Sequence, residues 1–522
     1  MTNLFTGSLL YRLWCLLLRA WPNSLASRTG AVLRAAWQGS SLYGPLSRAL
    51  GSDCTWTKES LFARLLTAVN RTLHNWAWIR NWVDGSLIVR LCRAILRACE
   101  NSRIVGWFFR GGVSRLLLLA LALYVPIDFV LRDVLPIPVL GSVWDELLLI
   151  ACTAWAFWMK ASGQIDLRAR VTPVHVPLLM FLLIGLAEML FVSPYFSVAV
   201  SGYRATVQYM LWFFVVCSLL RDDGDFFCIY VTMALVGTVI ALHGIYQYII
   251  GVPIPSSWMS SSEQSVRTRV FSIFGSPNIM GDFMVMMAPL GAGLLFYLKD
   301  WRLKLLALCA TGLMCLSCLF TMSRGAWIGM AVAVLLFMAI IDRRLFLAAL
   351  GAIVCALFLP FVWSRVSYLF SPEYRYLTTN GGRESRWALG ISYLYRTNPL
   401  LGMGLGMWGG AVAMQNKLLH WVWYTYVDHY YLRIFIEMGW VGIVSFAGLM
   451  ILLAVTGIRV CYRLREKREK ALAAGLLAGL AGVMAHCFFE NIFEEPYMMA
   501  VFWIMAGLLA WIGFLRKPTE NP

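Results

Sequence analysis

Residues 428–457 read DHYYLRIFIEMGWVGIVSFAGLMILLAVTG, a short polar head followed by an apolar run that is long enough to cross a bilayer. A helix of about 20 apolar residues spans the ~30 Å hydrocarbon layer. Such runs recur from Leu116 towards the C-terminus, and the chain is 60% hydrophobic and only 14% charged. Because this composition cannot fold around a single aqueous core, the sequence predicts an all-α polytopic membrane protein.

The apolar runs predict about twelve transmembrane helices in a domain at 116–515. The predicted spans are 116–131, 139–159, 172–192, 203–220, 226–250, 272–298, 304–321, 326–341, 345–362, 430–457, 471–489 and 497–515. Lys and Arg concentrate in alternate short loops, and cationic loops stay cytoplasmic. We therefore expect a multi-pass protein of the cytoplasmic (inner or plasma) membrane. Both termini, including the tail at 516–522, are then cytoplasmic, and the long loop at 363–429 is extracytoplasmic.

The first 115 residues differ from the rest because they are basic and lack an uninterrupted spanning run. They hold fifteen Lys and Arg residues against four Asp and Glu residues. Between Ile88 and Cys99 the apolar residues follow helical spacing, while Arg90, Arg93 and Arg97 gather on another face. This pattern predicts a basic amphipathic helical extension at 1–115 that lies on membrane lipids. Docking of a protein partner in envelope assembly is the alternative.

Motifs for metals and nucleotides are missing from the sequence. The thirteen cysteines are scattered and show no metal-ligand spacing. The glycine run at 402–406 follows no predicted strand, so it indicates a turn in the long loop rather than a phosphate-binding loop. We expect no cofactor, no metal and no nucleic-acid partner.

Arginines on the predicted outer side require an explanation, since arginine is disfavoured in short exported loops and costs about 2.5–3.5 kcal/mol near a helix centre. Arg269, Arg324, Arg383 and Arg386 all lie there, together with His429. Any one of these arginines could contact a lipid headgroup. Four of them on the same side as a histidine favour a functional cluster.

Five short sequence motifs, which include these arginines and His429, follow one another along the chain. They are RVFSIFGSPN at 269–278, SRGAW at 323–327, GRESRW at 382–387, NPLLGMGLG at 398–406 and DHYYLRIFIEMGWVG at 428–442. Their order and spacing resemble those of the O-antigen ligase and O-antigen polymerase superfamily over about residues 200–515. The resemblance implies a glycosyltransferase that moves a glycan from a lipid-diphosphate carrier to an acceptor, without a metal or a nucleotide sugar.

Matched position by position, the resemblance implies catalytic roles for Arg269, Arg383 and His429. Ser272 departs from the family pattern, because a glycine is common at its position. Arginines can stabilise a departing diphosphate, since a guanidinium stays protonated and binds phosphate through paired hydrogen bonds. An imidazole can take the proton of an acceptor hydroxyl as the hydroxyl attacks the anomeric carbon.

Further residues near these motifs are expected to support the site. The expected substrate-binding residues are Arg324, Arg386, Asn278 and Asp428, and the expected supporting residues are Glu437, His486 and Glu490. For Glu437 a structural polar bond is the favoured interpretation. The expected partners are a lipid-linked oligosaccharide donor and a glycan or lipid-glycan acceptor.

Two other functions fit parts of the sequence. A transporter of a small anion, similar to a bicarbonate carrier, would suit twelve helices, but the charged candidates gather at one membrane face and no internal repeat is visible. A structural partner in envelope assembly would suit the N-terminal extension and would leave the arginines and the histidine unexplained. Ligase and polymerase share donor chemistry, so the sequence does not separate them.

Overall fold

The computed structural model describes residues 112–516 apart from 136–137, 162–163, 166–169, 254–267 and 417–425, together with scattered positions between 31 and 94. Across the described part of 112–516 the regular elements are all helical, as predicted. The predicted extension at 1–115, including its amphipathic helix at 88–99, lies almost wholly outside the described residues. So does the predicted tail, apart from Arg516.

Eighteen α-helices make up this part of the chain. They are α1 (Val113–Ala122), α2 (Tyr124–Phe129), α3 (Pro138–Ala161), α4 (His175–Phe191), α5 (Phe196–Thr206), α6 (Leu211–Leu219), α7 (Asp223–Ile250), α8 (Pro277–Tyr297), α9 (Trp301–Phe320), α10 (Arg324–Ile341), α11 (Arg343–Leu357), α12 (Pro360–Tyr368), α13 (Pro372–Thr379), α14 (Arg383–Thr397), α15 (Ala411–Gln415), α16 (Tyr430–Arg463), α17 (Lys467–His486) and α18 (Pro496–Ala510).

Fewer helices than the expected twelve meet the length and apolarity of a membrane span. Among the described residues seven do, and up to nine do if each of two bent helix pairs counts as one span. The pairs are 113–122 with 124–134, bent by 74°, and 343–357 with 362–368, bent by 77°. The expected span at 203–220 is divided among α5, a 3₁₀ turn and α6, and the one at 172–192 holds the 17-residue α4.

Helix α17 shows why hydropathy alone is a poor guide here. It is rich in Ala and Gly, and almost all of its residues from Ala471 to Val483 are buried. A methyl group on Gly475 or Gly479 would collide with backbone carbonyls of α8, and one on Gly482 would collide with the side chain of Val285. Small residues let two helix backbones approach closely inside a membrane protein. Helix α17 therefore faces protein rather than lipid, which removes the need for large apolar side chains.

Helix α16 is broken at Gly439, where φ is 62° and ψ is −159°. The break frees the carbonyls of Ile436 and Glu437, which accept hydrogen bonds from the amides of Met403 at 3.0 Å and Gly404 at 2.9 Å. In return, the amide of Trp440 donates to the Pro399 carbonyl at 3.0 Å, and that of Val441 donates to the Leu400 carbonyl at 3.1 Å. The glycine run of the long loop contains turns, as expected, and it also docks against the broken helix.

The interlock predicts different effects for two glycines of the same helix. Gly439→Ala places a side chain at positive φ, which costs roughly 1–2 kcal/mol, and its methyl group would collide with the Leu400 carbonyl. Gly448→Ala is the matched control, because a methyl group there meets no atom within 4 Å and gains up to about 1 kcal/mol of helix propensity. Thermal unfolding in detergent should show a lower Tm for Gly439→Ala and an unchanged or higher Tm for Gly448→Ala. Equal Tm values would contradict the interlock.

Candidate functional site

Arg269 lies just before α8 and is 9% exposed. Its Nε donates to the Thr321 carbonyl at 3.1 Å, and Nη2 donates to Oδ1 of Asn278 at 3.3 Å. Asn278 follows Pro277 in the first turn of α8, where proline is favoured because its fixed φ suits a helix start. The turn between Arg269 and α8 therefore brings the arginine back onto the N-terminus of that helix.

The turn itself contains the residue that departs from the family pattern. Ser272 has a φ of 49°, in the left-handed region that favours glycine. Gln247 of α7 holds the turn, since its Oε1 accepts from the amides of Phe271 at 3.1 Å and Ser272 at 2.7 Å. The Ser272 hydroxyl also lies 2.9 Å from Nδ1 of His243. These bonds compensate for the absence of glycine.

Arg383 and Arg386 lie one turn apart at the start of α14 and share one carboxylate. Arg383 Nε donates to Oδ2 of Asp428 at 2.9 Å, and Arg386 Nη2 donates to the same oxygen at 3.2 Å. Arg386 also donates to the Tyr426 carbonyl at 2.9 Å. The glycine before Arg383 is required sterically, because a methyl group on Gly382 would collide with the backbone at Leu377. The GRESRW motif thus presents two guanidinium groups on one face.

Glu490 joins the two arginine groups. Its Oε2 accepts a short hydrogen bond from the Asn278 side chain, and Oε1 accepts from the Asn491 amide at 3.2 Å. Burial raises the pKa of Glu490 above its ordinary value, as does the negative charge of Asp428, while Arg383 opposes the rise. Burial tends to lower the pKa of Arg383, but the charges of Asp428 and Glu490 raise it overall.

The structure therefore brings together residues that are distant along the chain. We name as the polar cluster Arg269, Asn278, Arg383, Arg386, Asp428 and Glu490. Hydrogen bonds link the cluster from Arg269 through Asn278 to Glu490, and from Arg383 and Arg386 to Asp428. Mutual electrostatic influence between Glu490 and Arg383 connects these two parts.

His429 lies beside the polar cluster and caps α16. Its Nδ1 accepts a hydrogen bond from the Leu432 amide at 3.2 Å, as an N-cap side chain does. Its ring packs edge-on against Trp387 at 5.2 Å and Phe488 at 5.6 Å between ring centroids. Burial lowers the pKa of His429 below its ordinary value, so the ring is neutral near pH 7.

Arg324 stands next to this group rather than inside it. It is the first residue of α10, and its guanidinium carbon lies 5.6 Å from the ring centroid of Tyr374 and 6.0 Å from that of Tyr368. Both tyrosines belong to the short helices of the long loop. Arg324 therefore connects the bundle to the long loop through cation–π contacts.

His486 is buried and pairs with Asp282 of α8, with 2.7 Å between Nδ1 and Oδ1. A methyl group on Gly325 would overlap the His486 ring, so the SRGAW motif needs glycine where α10 crosses α17. His486 also lowers the pKa of Glu490, which agrees with the expectation that it lies near that residue. Its contacts with α8 and α10 fix the helix end from which Glu490 extends.

Sequence reasoning missed Arg433, which is 2% exposed inside α16. Its Nε lies 3.5 Å from Oε2 of Glu437, and its Nη1 lies 3.2 Å from Oε1 of Glu494. Glu437 also accepts from the Trp408 amide at 3.2 Å, so it makes the structural polar bonds that were favoured for it. The signal was available, because Arg and Glu four residues apart in an apolar helix share one face.

Metal binding has no visible basis in this part of the chain. Among the residues that the structure describes, no three His, Cys, Asp or Glu side chains are grouped so that they could hold a metal ion.

Comparison with known proteins shows that part of this chain is similar to a known family. Residues 309–447 match the sequence model of the O-antigen ligase family. A search of curated proteins finds none with significant similarity to the chain. The matched segment includes Arg324, Arg383, Arg386, Asp428 and His429. The remaining members of the polar cluster, which are Arg269, Asn278 and Glu490, lie outside it.

The match supports a ligase-type membrane enzyme and gives no support to an anion transporter. With several apolar helices of spanning length, the chain is a multi-pass membrane protein. Residues 309–447 are thus similar to the O-antigen ligase family, which supports the resemblance to the O-antigen ligase and O-antigen polymerase superfamily.

Proposed function

We propose that this protein is a metal-independent glycosyltransferase of cell-surface polysaccharide assembly. It transfers a glycan from an undecaprenyl-diphosphate-type lipid donor to a hydroxyl group of a glycan or lipid-glycan acceptor. The observation that carries this proposal is the convergence of three guanidinium groups, those of Arg269, Arg383 and Arg386, in one polar cluster, where Arg383 and Arg386 share the Asp428 carboxylate. Guanidinium groups gathered in this way suit an anionic substrate.

The arginines supply what the leaving diphosphate needs. Negative charge grows on the departing phosphate oxygens as the glycosidic bond breaks, and preorganised guanidinium groups stabilise that charge in a partly dehydrated site. Arg383 has 36% of its side chain exposed, against 14% for Arg386, so it is better placed to meet phosphate. Arg324 contributes by holding the long-loop helices that lie above α14.

The acceptor is expected to lie near His429. The His429 ring is bordered by Trp387 and Phe488, and aromatic rings of this kind pack against sugar rings. Asp428 precedes the histidine and orients both arginines of α14. A hydroxyl that attacks the anomeric carbon directly, opposite the diphosphate, would invert the configuration of that carbon.

The proposed location follows from the distribution of Lys and Arg in the short loops. Both termini are placed in the cytoplasm and the polar cluster on the opposite face of the cytoplasmic membrane. A carrier lipid would reach the cluster from the bilayer, while a polymeric acceptor would approach from outside. The basic extension at 1–115 would bind the anionic inner leaflet or a protein of the assembly machinery.

Replacing arginine by lysine separates geometry from charge. Arg383→Lys and Arg269→Lys keep the positive charge but lose the paired donors, and each should lower the transfer rate on the order of 10²–10³-fold. Arg396→Lys is the matched control, because Arg396 is an exposed residue in the last turn of the same helix α14. The purified variants would be reconstituted with membranes of a deletion strain, which hold both substrates, and glycan transfer would be followed by gel mobility.

For this comparison the variants must have the Tm of the wild-type protein in detergent. Rates for Arg383→Lys and Arg269→Lys that stay within threefold of the Arg396→Lys rate would contradict the proposed diphosphate clamp.

Deletion of the gene tests the substrate class directly. A lipid-diphosphate-linked glycan should accumulate in the membrane because its consumer is absent, and mass spectrometry of extracted lipids would detect it. Accumulated long chains would indicate a ligase, whereas accumulated single repeats would indicate a polymerase. Unchanged lipid-linked glycans would contradict the proposed function.

A further inference from the structure

We propose that Glu490, rather than His429, takes the proton from the attacking acceptor hydroxyl. This inference rests on the proposed function and assigns one chemical step within it. Glu490 lies outside the segment that matches the ligase family, and its hydrogen bond from Asn278, together with its electrostatic influence on Arg383, places it in the polar cluster.

The hydrogen bond that His429 makes at Nδ1 disfavours a role for this residue as a general base. Nδ1 accepts a hydrogen bond from the Leu432 amide, so it carries no proton in the capped helix. In a neutral imidazole one nitrogen is the donor and the other is the acceptor, so Nε2 must carry the proton. To accept a proton at Nε2, the ring would first have to adopt the other tautomer and give up the cap, at a cost of about 1 kcal/mol. As it stands, His429 can donate a hydrogen bond from Nε2 to an oxygen of the substrate.

Ion pairs distinguish Glu490 from the neighbouring carboxylates. Asp428 accepts from two guanidinium groups, and Glu437 and Glu494 both pair with Arg433. Such pairing engages the oxygens of these three carboxylates with guanidinium groups. Glu490 is hydrogen-bonded instead by two neutral amides, the side chain of Asn278 and the backbone of Asn491. Glu490 therefore differs from Asp428, Glu437 and Glu494 in the groups that bind its oxygens.

The charged and titratable groups around Glu490 support this assignment. Burial and the charge of Asp428 raise its pKa, while His486 and Arg383 act in the opposite direction. A carboxylate whose pKa lies above its ordinary value is better matched to a hydroxyl proton. The amide of Asn278, which also contacts Arg269, fixes the carboxylate next to the proposed diphosphate clamp.

The step is balanced in atoms and charge. The acceptor oxygen forms a bond to the anomeric carbon while its proton passes to the Glu490 carboxylate. The bond from that carbon to the diphosphate oxygen breaks, and its electron pair leaves with the lipid diphosphate, where the arginines stabilise the charge. Nε2–H of His429 orients an oxygen of the acceptor or of the leaving group. No oxidant, reductant or further reactant is consumed.

Two glutamine variants test the assignment in the reconstituted transfer assay. Glu490→Gln keeps an oxygen for the Asn278 bond but cannot accept a proton, so kcat should fall on the order of 10²–10⁴-fold with an unchanged KM for the lipid-linked donor. His429→Gln keeps an N–H donor at a similar reach but loses the ring that orients the substrate oxygen, so its kcat should fall less than that of Glu490→Gln. Both variants are compared at equal Tm in detergent.

The pH profile gives a second measurement that a purely structural role would not change. The base works only when ionised, so the wild-type rate should fall as pH decreases through a pKa that lies above the ordinary glutamate value of about 4.3. That acid limb should persist in His429→Gln and vanish in Glu490→Gln. An acid limb that vanishes in His429→Gln and persists in Glu490→Gln would overturn the inference. Failure of the wild-type protein to transfer any glycan would instead contradict the proposed function.

Discussion

The position of the long loop depends on the broken helix at Gly439. Inside a membrane bundle, backbone groups freed by a helix break must find partners, because hydrocarbon offers none. The loop at 398–404 supplies those partners, and its glycines allow the two backbones to touch. Helix α14, which precedes this loop, then packs on α16, where Gly390 lies against Ile436 and Trp408. Arg383 and Arg386 consequently start α14 opposite Asp428, just before α16 begins.

Charge pairing explains how so many ionisable groups coexist at one end of an apolar bundle. Arg433 is surrounded by Glu437 and Glu494, and removing one partner of such a buried pair typically costs about 3–5 kcal/mol. The network of Arg433, Glu437 and Glu494 connects the turn after α17 to α16. Its positive charge is balanced by its own carboxylates. The polar cluster is arranged differently, since two guanidinium groups, those of Arg383 and Arg386, share the single carboxylate of Asp428, whereas Arg433 alone faces two carboxylates.

The sequence predicted the all-α membrane class and the resemblance to the ligase family, because apolar runs and motif order are local signals. The roles of the arginines and of His429 stay predictions, while Arg383 and Arg386 do bond to Asp428, the residue before His429. It overestimated the number of clearly apolar spans, since α17 is built from small residues that only a close-packed partner explains. It also missed Arg433, although the spacing from Glu437 was a visible signal; the second partner, Glu494, is 61 residues away and could not be predicted from spacing. The sequence showed Ser272 only as a serine at a position where glycine is common in the family. It did not show that this position has a positive φ. The hydrogen bonds from Gln247 that permit the departure come from another helix.

Two close contacts between helices fix the relative positions of Asn278 and Glu490 in the polar cluster. Gly325 lets the His486 ring lie against α10, and His486 pairs in turn with Asp282, one turn along α8 from Asn278. The start of α8, which carries Asn278, and the end of α17, which precedes Glu490, are therefore tied by one buried ion-pair geometry. The bond between Asn278 and Glu490 then follows from helix packing, and Asn278 also accepts a hydrogen bond from Arg269. The SRGAW motif serves the site twice, with Arg324 contacting the long loop and Gly325 setting the distance between α10 and α17.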